Sequence, residues 1–174
     1  KVHEPKLYLS LPGQARVEAD GQTFRAKPPA YANDARNGLK GDLVYIPASG
    51  SMEDEDKFES QLDSTPELAE KVRGKIVLTE GFASPSITAQ MEASGAIGLI
   101  AINPGVDVHW GICTTIWGVP GTDDLDRKPN MPVVAVNKEG GQTLAGMAKE
   151  GKPVTIFTEM EEGWFASKLP EVWI

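Results

Sequence analysis

Short apolar runs separated by helix-capping residues and glycines dominate the pattern of the chain from residue 74 onward. Residues 75–79 are a β-rich apolar run bounded by glycines, which predicts a buried strand. Ser84-Pro85-Ser86 then favours the start of a helix, and Gly95 favours its end. Residues 96–102 form a second apolar run. This order of strand, helix and strand predicts a βαβ unit whose two strands pair in parallel.

The same order of elements recurs further along the chain. Residues 131–136 read as a strand, Asn137 as the cap of a helix that stops at Gly151, and residues 153–158 as the next strand. We therefore predict a second βαβ unit. The two units match in order but not in residues, so they are not a sequence repeat.

The first 48 residues carry weaker β patterns. Residues 7–11 alternate as an extended strand does, and Asp20-Gly21 suits the positive φ angles of a tight hairpin turn. Residues 42–46 are a short apolar strand. We divide the chain into an N-terminal arm and hairpin, residues 1–40, that packs on one domain, residues 41–174.

An acidic insertion at residues 49–73 precedes the domain's core, which we place at about residues 74–158. It contains the run Glu53-Asp54-Glu55-Asp56, and Pro66 marks the start of a helix. The run lacks the spaced aspartates, turn glycine and terminal glutamate of an EF-hand. We therefore interpret it as a solvated loop with a helical turn rather than as a calcium site.

Charge and cysteine content exclude some classes of partner. The 174 residues carry a net charge of −8, which argues against binding to nucleic acid or to an anionic membrane surface. No apolar run approaches the roughly 20 residues that span a bilayer, so we expect no membrane insertion. The single cysteine, Cys113, excludes an internal disulfide. The opening Lys1-Val2-His3-Glu4-Pro5 is neither an initiator methionine nor a signal peptide, and residues 171–174 look like a strand cut off mid-course; both favour a piece of a longer protein.

The long connection at residues 103–130 is the strongest candidate for function, because connections of this length in compact domains are usually functional or mobile. It is rich in glycine and proline and carries aromatic, acidic and titratable side chains. We predict that it forms a binding surface from His109, Trp110, Trp117, Asp123 and Asp124.

No catalytic or metal centre can be assembled from the sequence. Asp107, His109 and Cys113 fall short of the three or four ligands that zinc usually takes. Cys113 and His109 could serve as nucleophile and base only in a helix, which this glycine-rich stretch does not favour. We therefore interpret them as a buried structural cysteine and an ordinary loop histidine, and predict no catalytic residue and no metal ligand in this chain.

Two further patterns have simpler structural explanations. The stretch between the first strand and its helix could present backbone amides to an anion, but it lacks the lysine of a phosphate loop. We interpret Gly81 as a turn and Ser84 as a helix cap. Glu159, Glu161 and Glu162 could be taken as a carboxylate pair for acid–base chemistry, but a solvated turn is the simpler prediction.

Taken in order, five sequence landmarks are similar to one known family. They are Gly74-Lys75-Ile76-Val77-Leu78, Gly95-Ala96-Ile97-Gly98, Pro132-Val133-Val134-Ala135-Val136, Gly141 with Leu144, and Gly151-Lys152-Pro153-Val154. Their spacing resembles the protease-associated (PA) domain. The resemblance runs from about residue 41 to residue 158. It implies an α/β fold of the swivelling β/β/α type, with an open barrel-like mixed sheet and a few flanking helices.

Two further stretches of sequence indicate which kind of PA domain the chain resembles. Trp117-Gly118-Val119-Pro120 and residues 164–172 look like the PA domain inserted in di-zinc aminopeptidases and carboxypeptidases related to the transferrin receptor. This implies a non-catalytic module that covers an active site, restricts substrate access or binds proteins. Its expected partners are the catalytic peptidase domain of the same chain and a peptide or protein substrate. Two zinc ions are expected in that catalytic domain and none within these 174 residues.

Two alternatives remain open. The chain could be a free-standing hydrolase that uses residues 103–130 as its active site. It could also be the PA recognition module of a subtilisin-like protease or of a sorting receptor.

Overall fold

A computed structural model describes residues 1–48, 65–116 and 120–171. These residues form nine strands, three α-helices and one short 3-10 helix. In chain order the elements are β1 (Val2–His3), β2 (Lys6–Ala19), β3 (Gln22–Lys27), β4 (Leu39–Tyr45), α1 (Pro66–Val72), β5 (Ile76–Glu80), α2 (Pro85–Ala93), β6 (Gly98–Ile102), the 3-10 helix (Thr122–Arg127), β7 (Val133–Val136), α3 (Lys138–Lys149), β8 (Pro153–Ala166) and β9 (Leu169–Pro170).

Seven of these strands pair into one mixed sheet, in the order β2-β3-β7-β6-β5-β4-β8. The neighbouring pairs among β4, β5, β6 and β7 are parallel, and the other pairs are antiparallel. The predicted α/β class, a barrel-like mixed sheet with a few helices, is confirmed. The strands close into a ring, because β8, the last strand in this order, pairs with β2, the first.

Two hydrophobic cores lie on opposite faces of the ring. The first contains side chains from all seven ring strands, among them Val17, Ile100 and Ile156, and is completed by Leu144 of α3. The second lies between the parallel strands and helices α1 and α2, and includes Met91. Alternate residues of β5 and β6 enter different cores, as the period of two in a strand requires.

Most predicted elements occur where the sequence placed them. The first βαβ unit is confirmed: β5 and β6 pair in parallel on either side of α2. The Asp20-Gly21 hairpin is also confirmed, with φ angles of 48° and 76° at the two turn residues. Pro66 occupies the first turn of α1, as expected, and the Thr65 side chain caps this helix.

The second βαβ unit has the predicted order but not parallel pairing. Strand β8 runs antiparallel to both β2 and β4. Strand β7 has β6 on one side and β3 on the other, so neither of its edges is free for β8.

The predicted turn at Glu159, Glu161 and Glu162 is wrong, because β8 continues through all three residues to Ala166. The strand continues because β2 pairs with it along nearly its whole length, with one irregularity between Pro12 and Ala15. Residues 6–12 and 160–166 form the outer part of this ladder, called the ribbon below. Strands β1 and β9 form a two-stranded sheet of their own.

Some predictions lie beyond what the structure addresses. Most of the acidic insertion, residues 49–64, and residues 172–174 lie outside the described residues. Strands β2 and β3 belong to the ring, and the division of the chain at residue 40 stays a prediction. No helix in the described ranges is long and apolar enough to cross a membrane.

Candidate binding surface

The buried side chain of Asn103 organises the start of the long connection. It follows β6 directly and is 1% exposed. Its Nδ2 donates to the carbonyl of Gly81 at 3.2 Å, and its Oδ1 accepts from the backbone N–H of His109 at 2.8 Å. One amide side chain therefore joins the connection to the end of β5 and also closes its first turn.

Backbone contacts hold the same segment from two other sides. Ala30 N–H donates to the carbonyl of Gly111 at 2.8 Å, and the two segments form a parallel bridge between Ala30 and Ile112. On the side of α3, Lys138 N–H donates to Gly105 at 3.0 Å, and the Asn137 side chain donates to Val106 at 3.1 Å. Residues 103–113 are thus attached to three separate parts of the domain.

This well-attached segment nevertheless presents apolar side chains to solvent. Val106 is 85% exposed and Trp110 is 55% exposed. The exposed His109 ring packs edge-on against Phe82, with 5.6 Å between the ring centroids. The Lys27 ammonium lies 5.0 Å from the centre of the Trp110 ring, a cation–π contact. We call these five residues the loop face.

The other predicted binding residues are placed differently. Asp123 and Asp124 lie in the 3-10 helix, and the carboxylate of Asp124 accepts from Gly121 N–H at 2.8 Å. This hydrogen bond, together with the ion pair to Arg127, lowers the pKa of Asp124. Among the described contacts, neither aspartate hydrogen-bonds to His109 or Trp110. Trp117 lies outside the described residues, and the binding role of all five residues stays a prediction.

Cys113 is placed as a structural side chain. It is 2% exposed and belongs to the second core, and its thiol donates to the carbonyl of Ala30 at 3.3 Å. Burial raises the pKa of the thiol far above its usual value, so the nucleophilic thiolate is strongly disfavoured. The described residues contain no group of three or more His, Cys, Asp and Glu side chains that could hold a metal ion.

The stretch between β5 and α2 has the roles that the sequence predicted. Gly81 has a φ of 107°, which its position in the turn requires. The Ser84 hydroxyl caps α2 by accepting from Ile87 N–H at 3.5 Å.

A half-buried polar cluster, which sequence patterns did not predict, surrounds Glu162. The carboxylate accepts hydrogen bonds from Tyr8 at 3.2 Å and from Ser10 at 3.0 Å, and pairs with Lys128 at the end of the long connection. The Ser10 hydroxyl in turn accepts from Tyr31 N–H at 2.9 Å. Residues 159–166 show no regular alternation of polar and apolar residues, so no local signal placed Glu162 on a strand.

The charges and hydrogen bonds of this cluster hold two parts of the domain together. Burial, followed by the charge of Glu162, raises the pKa values of Tyr8 and Tyr31, so both phenols stay neutral hydrogen-bonding groups. Lys128 neutralises the carboxylate in a site that is only partly open to water. The cluster ties the end of the long connection to the ribbon.

Comparison with protein families identifies the fold. The sequence model of the PA domain matches residues 39–144, which is more than half of the chain. The chain belongs to the PA domain family. The resemblance inferred from the five landmarks is therefore confirmed at the level of the family.

Several solved structures contain a part with the same fold. An aminopeptidase from Aneurinibacillus sp. strain AM-1 superposes with a TM-score of 0.63 at 17% identity, over 97% of this chain and 37% of that one. BSAP, a zinc aminopeptidase from Bacillus subtilis, has a TM-score of 0.58 at 18% identity, over 92% of this chain and 33% of that one. A peptidase M28 precursor from Shewanella amazonensis SB2B has a TM-score of 0.50 at 14% identity, over 97% and 39%.

These identities establish similarity of fold alone. The chain spans about one third of the length of these structures, between 33% and 39%. No curated protein sequence matches the chain significantly.

Proposed function

We propose that this PA domain is the non-catalytic module of a zinc-dependent exopeptidase, of the type inserted in di-zinc peptidases related to the transferrin receptor. Its role is to cover the active-site cleft of the catalytic domain and to restrict and contact the substrate. One observation carries the proposal: nearly all of this chain aligns with a part of structures named aminopeptidase or zinc aminopeptidase, and it spans about one third of their length.

The two zinc ions of such an enzyme belong to its catalytic domain. The residues described here do not fit a zinc ion: His109 packs on Phe82, and the buried Cys113 thiol donates its hydrogen to Ala30. Asp124 is occupied by Gly121 and Arg127. The proposal therefore assigns catalysis to the catalytic domain, and control of substrate access and substrate binding to the PA domain.

The loop face is the surface through which we expect the domain to contact substrate. Its segment is already ordered by Asn103 and by the contacts to Ala30 and α3, so little conformational entropy is lost on binding. Trp110 offers an amphipathic ring to an apolar side chain. Among the described residues Lys27 has no carboxylate partner, so its ammonium is available to an acidic group or to a peptide carboxylate.

The first test examines the gene that encodes this chain beyond codons 1 and 174. The proposal expects an adjoining domain with a His, Asp and Glu ligand set for two zinc ions, and zinc-dependent release of amino acids from peptides by the complete product. The 174-residue chain alone should cleave neither aminoacyl anilides nor peptides. A gene without such a domain, or zinc-dependent cleavage by the 174-residue chain, would contradict the proposal.

The second test concerns the loop face in the complete product. Trp110→Ala and Lys27→Ala should each raise KM for peptides of several residues by about tenfold, with little effect on small aminoacyl anilides. Arg25→Ala is the matched control, because Arg25 is an exposed cation two residues away on the same strand. Equal effects of the Lys27 and Arg25 variants would exclude a specific contact at the loop face.

A further inference from the structure

The ribbon has two chemically different faces. Tyr8 lies opposite Trp164 and Ser10 opposite Glu162, so these four side chains share one face. Tyr8 packs edge-on against Trp164 with 5.6 Å between ring centroids. Through Glu162, this face is bound to Lys128 and to the rest of the domain.

The opposite face is mainly apolar. By alternation along the two strands it carries Leu7, Leu9, Leu11 and Phe165, together with Gly163 opposite Leu9 and Glu161 opposite Leu11. None of the four apolar side chains belongs to either hydrophobic core or packs against one, and Leu11 is 43% exposed. Since the polar face holds the ribbon to the domain, the apolar face is turned away from the domain's body.

An apolar face of this kind needs a packing partner, called its cover below. A two-stranded ribbon is at best marginally stable in water unless its apolar side packs against something else. Within the described ranges, residues 6–12 pair only with β8, and residues 160–166 pair only with β2. Among residues 1–48, 65–116 and 120–171, neither a third strand nor a helix supplies the cover.

The pairing of β1 with β9 beside the ribbon bears on what the cover is. Val2 pairs with Pro170, and Glu171 N–H donates to the carbonyl of Lys1 at 2.8 Å. Lys1 and Glu171 therefore lie side by side next to the ribbon. Val2 and Leu169 beside them are 58% and 46% exposed.

We propose that the apolar face of the ribbon docks against the catalytic domain that adjoins this PA domain in the same polypeptide. The inference rests on the proposed function and adds to it the surface through which the two domains meet. A domain attached within a few residues of the ribbon is present at a high effective concentration, whereas a second copy must be recruited from solution. Lys128 holds one face of the ribbon and the catalytic domain holds the other. The ribbon therefore fixes the orientation in which the PA domain covers the active-site cleft.

The test compares amide hydrogen exchange of residues 6–12 and 160–166 in the 174-residue chain and in the complete gene product. We expect exchange in the ribbon to be slower by about tenfold or more in the complete product. The double variant Leu9→Ser, Leu11→Ser should abolish this protection. Val106→Ser, which alters a more exposed apolar residue outside the ribbon, should leave the protection intact.

Two further measurements establish whether the double variant still folds and whether a second copy of the chain covers the apolar face instead. Thermal unfolding of the 174-residue chain should change little in the double variant, because both leucines lie outside the cores. Sedimentation of the unaltered chain at micromolar concentration should show a monomer. A dimer that the double variant dissolves would mean that a second copy covers the face, and the inference would be overturned.

Failure of this inference and failure of the proposed function are distinguishable. An active zinc peptidase whose ribbon exchanges as fast as in the 174-residue chain would overturn the docking surface alone. A complete product with a protected ribbon and no zinc-dependent hydrolysis would overturn the peptidase assignment and retain docking to the adjoining polypeptide.

Discussion

Gly141 of α3 lies directly against Ile102 of β6. A Cβ atom built at position 141 would come within 2.6 Å of Ile102 Cγ1 and 2.9 Å of its Cβ. Real side chains do not approach so closely, so the absence of a side chain at Gly141 is what lets α3 pack on the parallel strands.

Gly141→Ala should therefore destabilise the domain. The added methyl group forces α3 away from β6 or moves Ile102, which we expect to lower the free energy of unfolding by about 2 kcal/mol or more. Chemical denaturation monitored by tryptophan fluorescence measures the change. Gly146→Ala is the control, because a Cβ at this position of the same helix meets nothing within 4 Å. It should stabilise the domain by about 0.5–1 kcal/mol, and equal destabilisation by both variants would disprove the contact argument.

Removal of the Asn103 side chain should loosen the long connection. Asn103→Ala leaves the Gly81 carbonyl and the His109 N–H without their partner, at a cost of about 2–3 kcal/mol in unfolding free energy. Hydrogen exchange at the His109 amide should accelerate by more than global destabilisation alone explains. Asn130→Ala, at an exposed asparagine of the same connection, should change neither quantity. An unaltered His109 amide in Asn103→Ala would show that other contacts order the loop face.

The thiol of Cys113 should be unreactive in the folded domain. Because burial raises its pKa and its hydrogen is donated to Ala30, alkylation by iodoacetamide at pH 8 should be at least about a hundredfold slower than in denaturant. The rate is followed by mass spectrometry. Rapid labelling of the native protein would reopen the alternative in which Cys113 acts as a nucleophile.

Asp34 should contribute to stability in a defined pH window. Hydrogen bonds from the Arg36 side chain, followed by one from Met160 N–H, lower the pKa of its carboxyl from 3.8 to about 2. Folding therefore favours the ionised form. This contribution is complete above about pH 4 and is lost as the pH falls through about 2.

Asp34→Asn tests this window. The carboxylate is about one third exposed, so solvent screening reduces the expected loss at pH 7 to about 1 kcal/mol. The difference in unfolding free energy between the variant and the unaltered protein should shrink between pH 4 and pH 2. Asp126→Asn, at an exposed aspartate of the 3-10 helix, provides the comparison. A pH-independent difference for Asp34→Asn would exclude the charge as its cause.

Local sequence patterns predicted the elements well where one short segment contains the whole signal. Ser84 and Asn137 cap helices, and Asp20-Gly21 forms a hairpin turn, because each depends on backbone preferences and on neighbours within three or four residues. The apolar runs of β5, β6 and β7 are strands because burial on both faces selects continuous apolar residues.

The candidate binding surface was predictable only in part. Length and composition pointed to residues 103–130 and to His109 and Trp110. The partners of those residues, Phe82 and Lys27, come from elements remote in sequence, and no local pattern relates them. In the sequence, Asn103 looks like any other polar residue that follows a strand. Its role depends on two hydrogen-bond partners that only the tertiary structure reveals.

The sequence by itself determined the order of strands and helices, the capping residues and the membership of the PA family. Only the tertiary structure decided that β8 runs antiparallel between β2 and β4, that it continues through Glu162, and that Lys128, 34 residues earlier in the chain, pairs with it. The physical reason is that a residue pattern encodes backbone preference and burial, which are local. Strand pairing and ion pairing depend instead on which edges and charges the other elements leave available.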